Sequence, residues 1–480
     1  QKLKEKLLAS GCAPGQFEVP LRNLKSEAEL FRPEVVPLEA EEQRLGMEFD
    51  QIVGAQTILW NGEESTPAKV ATELDNPDRE TRRRAFEAIA SRKLEDRDKI
   101  AALWKRFLDN RLSQARAAGF GDDYRAYRWR RMLRFDYTPS DCKAFQDAIE
   151  AEVVPAAQRI VERRKQLLGL ETLRPWDMDV DPTGRPPLKP FEDTESLSLN
   201  CSTVFHRVNP VFGGYYDRMR RENLLDLPNR KNKAPGGYCT TFPEQRAAFI
   251  FMNAVGQHDD VQTLLHEGGH AFHAFEAFKL PLIHQMEVPM EFAEVASMGM
   301  EFLASKFLDA SEGGFYSPSH SARAQIEHIE KCILFWPYMA VVDSFQHWVY
   351  ENPAAAHDAE ACDQAWAERA DRFLPKIDWT GWEPYKRIGW QLKLHIHQVP
   401  FYYVEYGMAQ LGAVQVYRNS LENYTRAVEM YREALAAGGT LTLPQLFDRA
   451  GARFAFDRQT VREAVEVLES ELERLRPLDR

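Results

Sequence analysis

The stretch HDDVQTLLHEGGHAFHAFEAF, residues 258–278, reads as a helix with two adjacent glycines at its centre. Apolar residues recur at helical spacing. Asp259 and Asp260 are N-cap candidates, and Lys279-Leu280-Pro281 ends the pattern, which predicts a helix over about 259–279. Gly268 and Gly269 each cost roughly 1 kcal/mol of helix stability relative to alanine. That cost makes sense if a neighbouring element, or the support of a metal site, must approach the helix closely. His266 and His270 stand four apart and project from one face. Two neutral imidazoles at that spacing can hold one Zn²⁺. Glu267 follows the first of them, placed to take a proton from water activated by the metal. A chance HExxH would leave the glycines unexplained, and a closed structural zinc site normally uses cysteines.

A zinc hydrolase of this kind needs a third protein ligand. The extended pattern HExxHxxGxxH is absent, because His273 and Glu276 occupy its later positions. Further on, MEFAEVASMGMEFLASKFL (290–308) predicts a second helix, carrying Glu291, Glu294 and Glu301. Glu294 and Glu301 are two turns apart on one face, so one can ligate while the other orients a ligating imidazole. Acidic residues on a helix commonly face solvent, but the surroundings of Glu294 are apolar and a charge there wants a partner. A third block, LHIHQVPFYYVEYGMAQLGAVQ (394–415), places Tyr402, Tyr403 and Tyr406 at i, i+3 and i, i+4 spacing after Pro400. Tyrosine hydroxyls and a histidine suit an oxyanion. An aromatic face of this kind is also what a core helix presents.

The three blocks together, HEGGHAFHAF, EFAEVASMGMEF and HIHQVPFYYVEYGMAQ, resemble the thimet oligopeptidase and oligoendopeptidase F family of zinc peptidases. They are most similar to the bacterial oligoendopeptidase F and Pz-peptidase branch. The resemblance covers roughly residues 200–415. It implies zinc ligation by His266, His270 and Glu294, one Zn²⁺ per chain, with Glu267 as general base. It implies a supporting carboxylate at Glu301, support from His273, and oxyanion donors among His397, Tyr406, Tyr403 and Tyr402. KAPGGYC (233–239) resembles the family's glycine-rich loop, which would bring Gly236, Gly237 and Tyr238 to the substrate. Gly268 departs from the family, where a larger apolar residue is usual. The implied fold is mostly α: an elongated zincin-type helical body with a deep substrate channel and a small β-sheet beside the HExxH helix. AAFIFMN would be a strand of that sheet.

The rest of the chain agrees with a soluble enzyme. It has 480 residues, 44% of them hydrophobic, and a net charge of −12. That charge argues against a nucleic-acid surface. The longest apolar runs fall short of the ~20 residues that cross a bilayer. Six scattered cysteines without CxxC spacing read as thiols of a reducing compartment, so the expected location is the cytoplasm. Residues 78–118 and 144–169 are helical in pattern. The five prolines of RPWDMDVDPTGRPPLKPF (174–191) interrupt the helices. The expected organisation is therefore an N-terminal helical region, 1–173, followed by a catalytic region, 174–480. The record opens on Gln1, so an N-terminal piece is expected to precede it. No nucleotide, flavin or haem motif is present. The reading is a zinc endopeptidase for short peptides, with homo-oligomerisation left open. A zinc carboxypeptidase of similar fold and a catalytically silent peptide-binding protein remain as alternatives, as does another divalent ion in place of zinc.

Overall fold

In the computed structural model, residues 2–479 are described apart from 13, 231, 232, 234 and 235. Of the expected glycine-rich loop KAPGGYC, residues 234 and 235 therefore lie outside the described residues. The chain is mostly helical. A hairpin of β1 (Ile58–Trp60) and β2 (Glu63–Ser65) is separate from a three-stranded sheet of β3 (Leu225–Pro228), β4 (Tyr238–Phe242) and β5 (Ala247–Ala254). Contacts divide the chain into two compact units. One comprises residues 1–25, 187–333 and 405–480; the other comprises 26–186 and 334–404. This is a different division from a single cut after 173. The chain changes unit inside the proline-rich stretch, and again within the helices Pro318–Glu351 and Tyr403–Glu422.

In the first unit β5 is the central strand, parallel to β3 and antiparallel to β4. Its residues alternate in burial, as a strand with one covered face should. β5 runs into the HExxH helix, His258–Ala277, through a turn in which Gly256 takes φ +96°. The N-cap is Gln257, not Asp259 or Asp260. Asp260 instead sits in the first turn. Its Oδ2 accepts the backbone N–H groups of Val255, Gly256 and Gln257 at 2.8–2.9 Å, tying the strand end to the helix. The helix packs most extensively on the next long helix, Met290–Ser305, and also on β5.

The second unit is helical, apart from the β1–β2 hairpin. Its core includes Trp104, Phe107 and Trp390, all essentially inaccessible to solvent. The 34-residue helix Pro318–Glu351, which enters it, tolerates Pro337 in its interior. Among the described residues, no helix is long and apolar enough to cross a membrane.

Candidate active site

The glycines of the HExxH helix allow two close approaches. A Cβ on Gly268 would lie 2.6 Å from the Phe205 ring. A Cβ on Gly269 would lie 2.5 Å from the Ala296 carbonyl oxygen and 2.6 Å from Ser297 Cα, which are backbone atoms of the Met290–Ser305 helix. Gly269 thus lets the two helices meet backbone to backbone, one turn from His266. Ala296 is held on its own side as well, because the Tyr431 hydroxyl donates to its carbonyl.

This approach brings the expected ligands together. Glu294 Oε2 lies 3.4 Å from His266 Nε2 and 3.5 Å from His270 Nε2. One donor atom from each of the three residues falls within 4.8 Å of the others. The His266 Nδ1–H donates to Glu301 Oε1 at 2.7 Å, which leaves Nε2 as the free donor atom. Ser297 Oγ donates to Glu294 Oε2 at 3.0 Å from one turn on. The donor set of two imidazoles and a carboxylate, with one ring already anchored from behind, fits a zinc ion with an open coordination position. Burial raises the Glu294 carboxyl, but the neighbouring His266 and His270 rings outweigh it and hold the group well below its ordinary value. Burial likewise opposes ionisation of Glu301, while His266 and His328 bring it to about 2. Both carboxylates are therefore negative and available to cations.

Glu267 is buried beside the ligands. Burial pushes its carboxyl above the ordinary value, against the pull of His266 and His270. It opens onto a cavity of ≈ 590 Å³ with His266, His270, Glu294 and Tyr406 in its lining. Gly237, Tyr238 and Cys239 of the β4 end line it too, as do Phe278, Met286 and Met290. Among the described residues β4 pairs only with β5, at the edge of the sheet. Gly236 takes φ +95°, and a Cβ on Gly237 would lie 2.9 Å from the Thr263 methyl on the HExxH helix. Both glycines therefore have local reasons. His273 also borders the cavity; burial keeps its imidazole neutral, with a pKa of about 3, and its ring meets Phe292 edge-on.

The tyrosine block divides. Tyr406 lines the cavity. The helix begins at Tyr403, so Tyr402 precedes it and does not share its face as the spacing predicts. Phe401 causes the delay, being locked at φ +64°. Tyr403 is buried in the second unit, where its hydroxyl accepts from Lys393 Nζ at 2.9 Å. His397 is likewise a residue of the second unit. It is fully buried in the second unit, stacked on Phe49 with ring centroids 4.3 Å apart and edged by Trp104 and Phe107. Its Nδ1–H donates to the Lys393 carbonyl, and its Nε2 has no hydrogen-bond partner among the described residues. The neighbour that sequence reasoning passed over, His395, is half-buried and packs against Tyr402 and Tyr403. Burial and Lys393 lower its pKa to about 4, so its neutral ring keeps one N–H to donate. Ser297 and His328 were also missed. Only Ser297 had a sequence signal, its i+3 spacing from Glu294.

Three comparisons with known proteins give the family. Residues 73–466 match the model of Peptidase family M3, and the chain belongs to that family. It is 22% identical over 311 residues to an "Oligoendopeptidase F homolog" of Borreliella burgdorferi, a match covering 62% of this chain and 50% of that protein. It is 25% identical over 244 residues to "Oligoendopeptidase F, chromosomal" of Lactococcus lactis subsp. cremoris, over 49% of this chain and 38% of the relative. The chain thus spans about half or less of these curated relatives. Among solved structures, Pz peptidase A with inhibitor 2 superposes with a TM-score of 0.87 at 30% identity, over 95% of this chain and 80% of that one. An oligoendopeptidase F from Bacillus anthracis str. Ames gives 0.83 at 26%, over 99% and 81%. The mostly helical fold with a small sheet beside the HExxH helix is therefore that of this family.

Proposed function

We propose that this chain is a zinc-dependent endopeptidase of short oligopeptides, with Glu267 as its general base. The observation that carries the proposal is the convergence of His266, His270 and Glu294 beside a buried, pKa-raised Glu267, in a cavity bordered by a sheet edge. Zn²⁺ held by those three side chains would supply Lewis acidity and make water acidic near neutral pH. Glu267 takes the proton of the attacking water and delivers it to the departing amine. Its raised pKa suits both halves of that task. Tyr406, in the cavity wall, donates its hydroxyl to the developing oxyanion. His395, with Tyr402 and Tyr403, is a second candidate donor; His397, sealed among aromatic rings, is not. The substrate lies extended along β4, its main chain pairing with the strand edge past Gly236, Gly237 and Tyr238. Oligopeptides meet these requirements, since an extended backbone is needed on both sides of the cut. The six cysteines, all free thiols, are in keeping with the expected cytoplasmic setting.

Glu267→Gln tests the central role. The variant should keep its zinc and lose cleavage of an end-blocked peptide. Undiminished cleavage would remove Glu267 from the chemistry. Cleavage only of peptides with a free C-terminus by the parent protein would favour a carboxypeptidase. Stoichiometric zinc and tight peptide binding without any product would favour a silent binder.

A further inference from the structure

The carboxylate behind His266 is itself held. Glu301 uses Oε1 for the His266 Nδ1–H, at 2.7 Å. Its other oxygen, Oε2, lies 3.0 Å from His328 Nε2. His328 comes from the helix Pro318–Glu351, at one end of a sequence, HIEKC (328–332), that carried no site expectation. It is 8% exposed and packs against the Phe302 ring, with centroids 4.7 Å apart. Cys332, one turn on, is its other polar neighbour. All of these residues belong to the first unit.

A glutamate side chain has three rotatable bonds. Anchored at one oxygen, it still swings about the last of them. Anchored at both, its plane is fixed, and with it the direction of the His266 Nε2 lone pair. Burial adds a second constraint. An ionised carboxylate in an apolar setting needs more than one polar partner. Here the two partners are histidines from two other helices, one of them a proposed metal ligand.

We propose that His328 is a positioning residue for the metal centre, acting on His266 through Glu301. The chain His328–Glu301–His266 crosses three helices and sets the ring orientation that a tight zinc site requires. Direct outer partners of metal-bound histidines are worth about 10–100-fold in metal affinity. A partner one step further out should fall near the lower end.

The inference rests on the proposed zinc ligation, and the experiment separates the two. Zinc affinity is measured by competition with a chromophoric chelator for the parent, H270A, H328L, H328Q and E301A, together with the Co²⁺ d–d spectrum and the thermal melt of each apo form. H270A should lose the site; if it still binds stoichiometric zinc, the metal reading itself fails. Given that loss, H328L should weaken zinc about 10-fold and alter the cobalt spectrum. H328Q, whose amide can still donate to Glu301, should recover most of the affinity. In the E301A background, H328L should change zinc affinity no further. Parent-like affinity in H328L, or equal losses in H328L with and without Glu301, would overturn the proposal. The second result would show that His328 acts only on the fold, even if H328L proves unstable.

Discussion

Gly269→Ala adds one methyl group where the two metal-bearing helices touch. Ordinary carbon contact begins near 3.4 Å, whereas the new Cβ would stand 2.5 Å from the Ala296 oxygen and 2.6 Å from Ser297 Cα. The helices must therefore separate by about 0.9 Å, because both atoms are backbone and cannot rotate away. Ala296 is further pinned by the Tyr431 hydroxyl, and Gly299 gives the Tyr431 ring the room it needs. Overpacking of this kind costs about 1–3 kcal/mol. Replacing a mid-helix glycine by alanine returns up to about 1 kcal/mol. The net loss of stability should thus be at most about 3 kcal/mol, and the protein should remain folded. The metal site should be hit harder. Ligand positions must hold within about 0.2 Å, and Glu294 rides on the displaced helix. Zinc affinity should fall by at least about 10-fold. Gly268→Ala is the control: the three atoms nearest its new methyl all belong to the Phe205 side chain, not to the backbone of the Met290–Ser305 helix. It should lose stability while keeping zinc. Chelator competition and thermal melts of the apo proteins measure both. If Gly269→Ala binds zinc as the parent does, or Gly268→Ala loses zinc equally, close helix approach is not what the glycines provide.

Because burial lifts the Glu267 carboxyl above 4.5, and the base must be ionised to accept a proton, cleavage should fall with decreasing pH through a limb centred above 4.5; a pH–rate profile flat across that region would remove Glu267 as the titrating base. Tyr406→Phe should lower kcat by ~10–1000-fold with zinc retained, whereas an unchanged kcat would exclude the hydroxyl from the reaction. His397→Ala should act on stability, by about 2–5 kcal/mol judging from comparable core truncations, while His395→Ala should act on kcat with little change in melting temperature. The reverse pattern would return the oxyanion role to His397.

The gathering of His266, His270 and Glu294 was partly legible because it depends on short fixed spacings, whereas the choice of Glu294 over Glu301 as third ligand came from the family resemblance. His266, His270 and Glu267 stand within one helical turn and a half, and Glu294 and Glu301 within two turns of one another. What was not legible depends on distant contacts or on burial. The reason for Gly268 is Phe205, far back in the chain. The partner of the second Glu301 oxygen is His328, on another helix. In the HIH triplet, period and composition cannot distinguish His395 from His397; only the packing of Phe49, Trp104 and Phe107 does. The helix start after Pro400 moved because Phe401 takes a left-handed backbone. Its N–H donates to Gln346 and its carbonyl accepts from Arg134, both at 2.6 Å, a local arrangement that helix propensity does not report. Asp260 was recognised as a residue of the helix start, but it acts from the first turn, its carboxylate accepting the N–H of the N-cap Gln257 as well as those of Val255 and Gly256 before it. The division into units is likewise set by contacts that run back and forth along the chain, which a break in composition at 174–191 could mark only once.

The most direct test is an anomalous-difference map at the zinc edge, from crystals of the protein purified without chelator. One peak should appear, within bonding distance of His266 Nε2, His270 Nε2 and a Glu294 carboxylate oxygen, and it should vanish in H270A. A map with no peak there, or with the metal bound elsewhere while peptide cleavage persists, would contradict the proposed centre.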